Sequence, residues 1–330
     1  MQLKIPRQRA VKLIDSFRKA RVVVLGDLML DEYLFGRVSR ISPEAPVPVV
    51  EVDSEKLMLG GTANVAWNVR ALGGAAVPVG VVGQDRARAV MLAEFRAKRI
   101  PAGGLVVEPR RHTTIKTRVV AHHQQVVRVD REHRQDISRA SQARVIAALE
   151  KLVPRSDAVL IEDYNKGLLT PEVIQAALAL AMKHDVPVTV DPKLKNFLEY
   201  RGVTLFKPNV HETERALGLT IANDRDAERA GESLLAQLGA RAVLITAGER
   251  GMYLFDSGGG RAHIPTMARE VYDVSGAGDT VIAVITLALA CGATFHEAAI
   301  VANHAAGIEV GKFGVAAVSP QELKEALRTW

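Results

Sequence analysis

An α/β fold is what this chain predicts: a central, mostly parallel sheet flanked by helices on both faces, with a small β-sheet lid beside it. Three observations carry that expectation. From about residue 136 onward short β-rich runs alternate with helix-period stretches, two segments break the alternation, and the longest apolar run, Val281–Cys291, directly follows a glycine-rich turn.

The alternating part contains the strand-like runs Ala158–Ile161, Val186–Val190, Thr204–Phe206 and Ala242–Ile245, with helix-period stretches at 171–184, 210–218 and 224–238. Such alternation argues for a parallel sheet covered on both sides. The runs Val22–Leu25 and Val77–Val82 are expected in the same sheet. Residues 33–59 and 110–130 look like hairpins without helices. Strands joined without a crossover do not enter a parallel sheet easily, so these are expected to form the separate lid. One domain over residues 1–330 is the expected organisation, with no repeats or low-complexity tracts.

Composition narrows the function. The 48% hydrophobic and 24% charged content over 330 residues is that of a globular protein with a large core. The single cysteine, Cys291, excludes an intrachain disulfide and a thiolate zinc site, and fits a reducing compartment. The basic start is followed only by the short run Val22–Leu25, too short for a signal-peptide core, and Val281–Cys291 is too short for a membrane span. A cytoplasmic location is expected. The net charge of +6 suits anionic partners; small phosphorylated ligands suffice, and aromatics at 5% with no stacking or zinc-finger pattern argue against nucleic acid.

The sharpest motif is Asp273-Val274-Ser275-Gly276-Ala277-Gly278-Asp279-Thr280, running into the apolar segment. Gly276 and Gly278 allow a tight turn with bare N–H groups at a helix start, a place that favours an anion. A carboxylate beside it is the equipment of phosphoryl transfer, although a plain glycine-rich N-cap uses the same residues. Gly60-Gly61 before Thr62-Ala63-Asn64 is a glycine turn opening a helix, able to admit a sugar near Asn64 or to be a turn alone. Asp27 and Asp31 follow the first strand, where ligands of open α/β sheets bind; solvated surface acids are the alternative.

Asp191-Pro192-Lys193 and Lys207-Pro208-Asn209-Val210-His211-Glu212 also end strands. Lys193 can meet a phosphate, and Asn209 and Glu212 offer oxygens suited to magnesium through water, while a first-turn acid also explains Glu212 by itself. Thr246-Ala247-Gly248-Glu249-Arg250-Gly251 reads equally as a nucleotide loop or a hairpin turn. Residues 110–134 carry seven Lys/Arg, and strand alternation places Lys116, Arg118 and His122 on one face, fit for a sugar phosphate or for water. His122 and His123 are neighbours on opposite faces and cannot chelate one metal together.

Gly60-Gly61-Thr62-Ala63-Asn64 and Asp273 to Asp279 resemble the two signature motifs of the ribokinase-like (PfkB) carbohydrate kinases, and the likeness covers essentially the whole chain. Narrower likeness lies in Gly26–Asp31, in the run Val38–Val49, in Arg269–Asp273 and in Val310–Gly314, and points to the branch acting on D-glycero-D-manno-heptose 7-phosphate. The resemblance implies transfer of the ATP γ-phosphate to the anomeric 1-hydroxyl, in ADP-heptose and lipopolysaccharide core synthesis. It implies Asp279 as base, the amides of Gly276, Ala277 and Gly278 as anion hole, and Asp27, Asp31, Gly60, Gly61 and Asn64 at the sugar. Asn209, Glu212, Thr246, Gly248, Gly251 and Asn303 fall near nucleotide and magnesium. Asp273 and Ser275 are implied at a monovalent cation such as K+, and the lid is implied to pair two subunits into a homodimer. Thr62 stands where relatives often have alanine, and Val274-Ser275 where many have two threonines. Some relatives carry a fused nucleotidyltransferase; with Trp330 ending this chain, a separate protein is expected to supply that step. A kinase for another sugar, sugar phosphate or nucleoside, or a nucleotide or sugar sensor on the same scaffold, are the competing readings.

Overall fold

The protein is described by a computed structural model covering residues 5–122, 124–268, 271–312 and 316–327. Helix α1 (Arg7–Ser16) leads into β1 (Arg21–Gly26), which runs almost unbroken into β2 (Leu28–Ile41); β3 (Pro48–Gly61) returns and opens straight into α2 (Thr62–Ala71). Next come β4 (Ala75–Val82), α3 (Arg86–Ala97), β5 (Gly104–Val107) and the hairpin β6 (Thr114–Ala121) and β7 (Gln124–Arg131). The alternating half holds α4 (Arg139–Leu152), β8 (Ala158–Glu162), α5 (Pro171–Lys183), β9 (Val188–Asp191), β10 (Leu205–Phe206), α6 (Val210–Leu217), α7 (Asp224–Leu238) and β11 (Ala242–Thr246). A second hairpin, β12 (Met252–Asp256) and β13 (Arg261–Ile264), precedes α8 (Ala277–Ala290), α9 (Phe295–Glu309) and α10 (Pro320–Ala326).

Among the described residues the main sheet has nine strands in the order β13-β12-β11-β10-β9-β8-β1-β4-β5. Pairing is parallel from β5 to β11 and antiparallel at the β12–β13 edge, where a short turn leaves no room for a crossover. In β1 the side chains alternate: Val22 and Val24 join one apolar cluster with α8 and α9, and Val23 and Leu25 join another with α4, α5 and α7. Both faces are therefore buried, which is why the parallel strands read as continuous apolar runs. Helix α8 is buried along its whole length from Asp279 to Ala288, so its lack of a polar face reflects a place between helices and sheet. Among the described residues no helix is long and apolar enough to cross a membrane.

The second sheet, in the order β3-β2-β6-β7, rises from the carboxyl end of β1. Each hairpin is antiparallel, as the missing crossover helices predict, but the two hairpins join through a parallel β2–β6 pair. The chain between β3 and β6, with α2 and α3, supplies the long return that a parallel pair needs. The small sheet also starts earlier than the sequence suggested, so that Asp31 lies within β2 rather than in a loop. His122 departs from the expected common face with Lys116 and Arg118: it lies beyond β6 with φ 50°, which breaks the strand alternation, and its ring reaches the Val38 backbone. His123 lies outside the described residues, as do Arg269, Glu270, Phe313, Gly314 and Trp330 of the stretches singled out above.

Candidate active site

The strand order reverses direction at β1, which has β4 on one side and β8 on the other. The carboxyl ends of strands at such a point form the crevice where open α/β sheets take ligands. Two helices start there, and they differ from their neighbours. Helices α3, α4, α5, α6, α7, α9 and α10 each have a side-chain N-cap, whereas α2 and α8 are capped by Gly61 and Gly276, which offer no side-chain oxygen. Of the first-turn amides of α8, that of Ala277 reaches the Val274 carbonyl at 3.4 Å, and that of Gly278 has no partner among the described residues. Gly276 sits at φ 96°, a left-handed conformation that a side chain would strain.

Asp279, in the first turn of α8, is 7% exposed. Asn64 of α2 donates its amide to Oδ2 at 2.7 Å, and the Tyr164 hydroxyl donates to Oδ1 at 2.9 Å. The Asn68 amide donates to the Asn64 carbonyl, and Thr280 donates to the Asn68 side chain, so the two glycine motifs are knitted together through α2 and α8. Burial raises the Asp279 acid to about 6; the hydrogen bonds from Asn64 and Tyr164 pull it down, Asp191 pushes it up and Lys207 lowers it. A carboxylate of that basicity is ionised at neutral pH and well placed to accept a proton.

Around it stand Lys207 and Glu162, which sequence reasoning passed over, and Lys193, which it set at a phosphate. The Lys207 ammonium is 3% exposed, lies 2.7 Å from Asp191 Oδ2, and is 3.6 Å from where a Cβ on Gly278 would be. It brings a fixed positive charge to the amide end of α8. Glu162, fully buried at the end of β8, is held well above the usual carboxylate range by burial and then by Asp191 and Asp279, and its Oε2 has no partner among the described residues. Lys193 binds Glu212, and Asp191 and Glu212 raise its pKa against the effect of burial. The signal for all of these was available: each is the last residue of a β-run or follows one closely, at the sheet end where ligands bind.

The residues expected at a sugar divide. Asp31 pairs with Arg118 of the adjacent β6, and the Arg118 guanidinium lies over the Tyr33 ring. Gly60 makes this possible, since a Cβ there would come within 2.2 Å of Asp31 Oδ2. Lys116 shares that face, with its ammonium 5.3 Å from the centre of the Tyr164 ring, and burial lowers its pKa. Asp27 makes three backbone contacts. Its Oδ2 accepts the Tyr164 and Lys166 backbone N–H groups at 3.0 Å, and its Oδ1 that of Leu168 at 3.4 Å. Its carboxylate is occupied in fixing the loop after β8. Asn64, expected on the sugar, spends its amide on Asp279.

On the nucleotide side, Asn209 and Thr246 form a β-bridge, so the ends of β10 and β11 bring them together. Asn209 and Glu212 form a reciprocal capping box at the start of α6. Gly248 and Gly251 shape the turn into β12. Asn303 gives its amide to the Pro265 carbonyl at 2.7 Å, so it holds the segment after β13. Asp273 accepts the Ser275 N–H, and the neighbouring Tyr272 and Asp273 amides donate to Val310 at the end of α9. Glu309 is wholly buried beside them, and burial followed by Asp279 and Asp273 raises it to about 8, with the Ala316 backbone pulling the other way.

No group of three or more His, Cys, Asp or Glu among the described residues is arranged to hold a metal. Magnesium commonly keeps several waters and arrives with phosphate oxygens, needing only one or two carboxylates, and Glu212 is of that kind. A separate groove of about 1120 Å³ lies at the amino ends of β9, β10 and β11, between Met182, Arg241 and Phe295, and contains none of the candidate residues.

A family model described as "pfkB family carbohydrate kinase" matches residues 19–322. Among curated proteins, the "Bifunctional protein HldE" of Geobacter metallireducens is 47% identical over 317 residues, covering 96% of this chain and 65% of that protein. The protein of the same name from Caulobacter sp. is 46% identical, covering 94% and 64% respectively. Among solved structures, Arabidopsis thaliana ribokinase complexed with ribose and ATP superposes with a TM-score of 0.75 at 19% identity, covering 94% of this chain and 99% of that one. The tetrameric inhibited form of phosphofructokinase-2 from Escherichia coli gives 0.78 at 16% identity, over 94% and 99%. A ribokinase-like fold and a match across almost the whole chain agree: this protein belongs to the pfkB family of carbohydrate kinases.

Proposed function

We propose that the chain transfers the γ-phosphate of ATP to the anomeric 1-hydroxyl of D-glycero-D-manno-heptose 7-phosphate, yielding the 1,7-bisphosphate for ADP-heptose and lipopolysaccharide core synthesis. One observation carries the reaction type: the buried Asp279 carboxylate, held by two hydrogen bonds, stands at the uncapped start of α8 beside the Lys207 ammonium. The heptose rests on the Val38–Val49 and Gly26–Asp31 resemblance and on Lys116, which forms no ion pair among the described residues while Arg118 and Lys193 are both committed to carboxylates.

In this reading Asp31, with Gly60 and Gly61 at its back, orients sugar hydroxyls, and Lys116 meets the 7-phosphate. Asp279 accepts the proton of the attacking hydroxyl on a lone pair left free by Asn64 and Tyr164. The amides of Gly276, Ala277 and Gly278, with Lys207, face the charge of the moving phosphoryl group. Asn209, Thr246, Gly248 and Gly251 border the nucleotide, and Glu212 holds magnesium through water. Magnesium, when bound, supplies charge neutralisation across the phosphate oxygens. A K+-type ion would sit beside Asp273 and Ser275, with the buried Glu309 carboxyl close to Asp273. The small sheet acts as a lid and joins a second copy in a homodimer. A cytoplasmic setting suits these substrates.

The test is ADP release measured across sugars, sugar phosphates and nucleosides. Heptose 7-phosphate is expected to give the highest kcat/KM, at least tenfold above unphosphorylated heptose. Equal rates on the two heptoses would remove the substrate assignment, and ligand binding without turnover on any of them would favour a sensor.

A further inference from the structure

Tyr164 belongs to neither glycine motif, yet it touches the candidate base. It sits in the loop after β8, and that loop is pinned. Asp27 accepts the Tyr164 N–H, Asn165 takes φ 54° and donates its N–H to Asp163 at 2.8 Å, and Asp163 in turn accepts the Tyr200 hydroxyl at 2.7 Å. Two ammoniums lie over the Tyr164 ring, Lys116 at 5.3 Å and Lys193 at 5.7 Å from its centre. Backbone, ring and hydroxyl are thus each fixed by a different partner, and the hydroxyl ends 2.9 Å from Asp279 Oδ1. Asn64 alone would hold Oδ2 and leave the carboxylate plane free to rotate.

We propose that Tyr164 is a positioning residue for Asp279, setting the carboxylate plane from which the sugar hydroxyl's proton is accepted. The inference rests on the reading of Asp279 as base. The hydroxyl also stabilises the ionised carboxylate, opposing the burial that lifts it to about 6. The charged groups facing Asp279 are Asp191 at the end of β9, Glu162 at the end of β8, Lys207 after β10 and Glu309 on α9, with neutral Asn64 from α2. Removal of the hydroxyl leaves all of these in place.

Tyr164→Phe keeps the ring beneath its two lysines and deletes one donor. With heptose 7-phosphate and MgATP, the acid limb of kcat/KM is expected to move up by about one pH unit. At pH 6 the variant should run about fivefold below the parent, and at pH 8.5 within about threefold. Tyr164→Leu, which lacks the donor as well as the ring, should show the same displacement plus a higher KM for the sugar phosphate. Either folded variant, checked by its melting temperature, decides the matter. A uniform loss at every pH, or an unmoved acid limb while Asp279→Asn is inactive, overturns the role of Tyr164 and leaves the base reading standing. Full turnover by Asp279→Asn removes the base reading itself.

Discussion

The two ends of the candidate cleft are built on opposite principles. Around Asp279 the polar groups come from the ends of buried strands and helices, and they are matched with one another: Asn64 and Tyr164 to Asp279, Lys207 to Asp191, Lys193 to Glu212. On the small sheet the strands are half-exposed, β7 is exposed along most of its length, and Lys116 rests on an aromatic face instead of a carboxylate. A preorganised end suits chemistry, since fixed dipoles need not reorganise as charge moves. An end with an uncommitted cation suits recognition of an anion that arrives with the substrate. Turnover and substrate choice are therefore expected to separate by region.

The strongest way to break this contrast is Asp279→Asn. It should lower kcat by about 10²–10⁴-fold, roughly 3–5 kcal/mol, with ATP affinity by calorimetry unchanged. A large loss of ATP binding would show that the matched end serves affinity and not the chemical step. Next in size, Lys116→Met should raise the KM for heptose 7-phosphate by roughly 10–100-fold, from a charge-assisted contact of about 1.5–3 kcal/mol. Its kcat should stay within about twofold of the parent, and its KM for MgATP should not move. A fall in kcat instead would place Lys116 with the chemistry and blur the two regions.

The smallest expected effect sharpens the contrast from outside. Val127 and Val129 are 48% and 56% exposed on β7, and Val52 is 47% exposed on β3, an apolar presence that a second copy would cover. Val127→Glu with Val129→Glu should shift sedimentation from dimer to monomer while saturated turnover changes by about twofold or less. A parent that already sediments as a monomer at micromolar concentration would end the lid-pairing idea.

Periodicity in the sequence reached most of the main sheet because strands buried on both faces write uninterrupted apolar runs. It missed β5 and β13, four residues each at the sheet edges, where partial burial leaves only weak pattern. Of the site, Asp279 and the glycine turns were legible because tight backbone and an adjacent acid are local facts. Tyr164, Glu162 and Lys207 were not singled out, since what matters about them is which strand end faces which, and that is a property of sheet order. The backbone partners of Asp27 were hidden for the same reason. An acid after a strand reads alike whether it meets a ligand or three backbone N–H groups.

The passage from β1 to β2 leaves one residue, Asp27, between the rigid sheet and the small one. A shift of the small sheet would bend the chain here as well as where β3 passes into α2, and this aspartate is clamped to the very loop that carries Tyr164. Movement at this crossing would therefore be felt in the loop whose tyrosine holds Asp279.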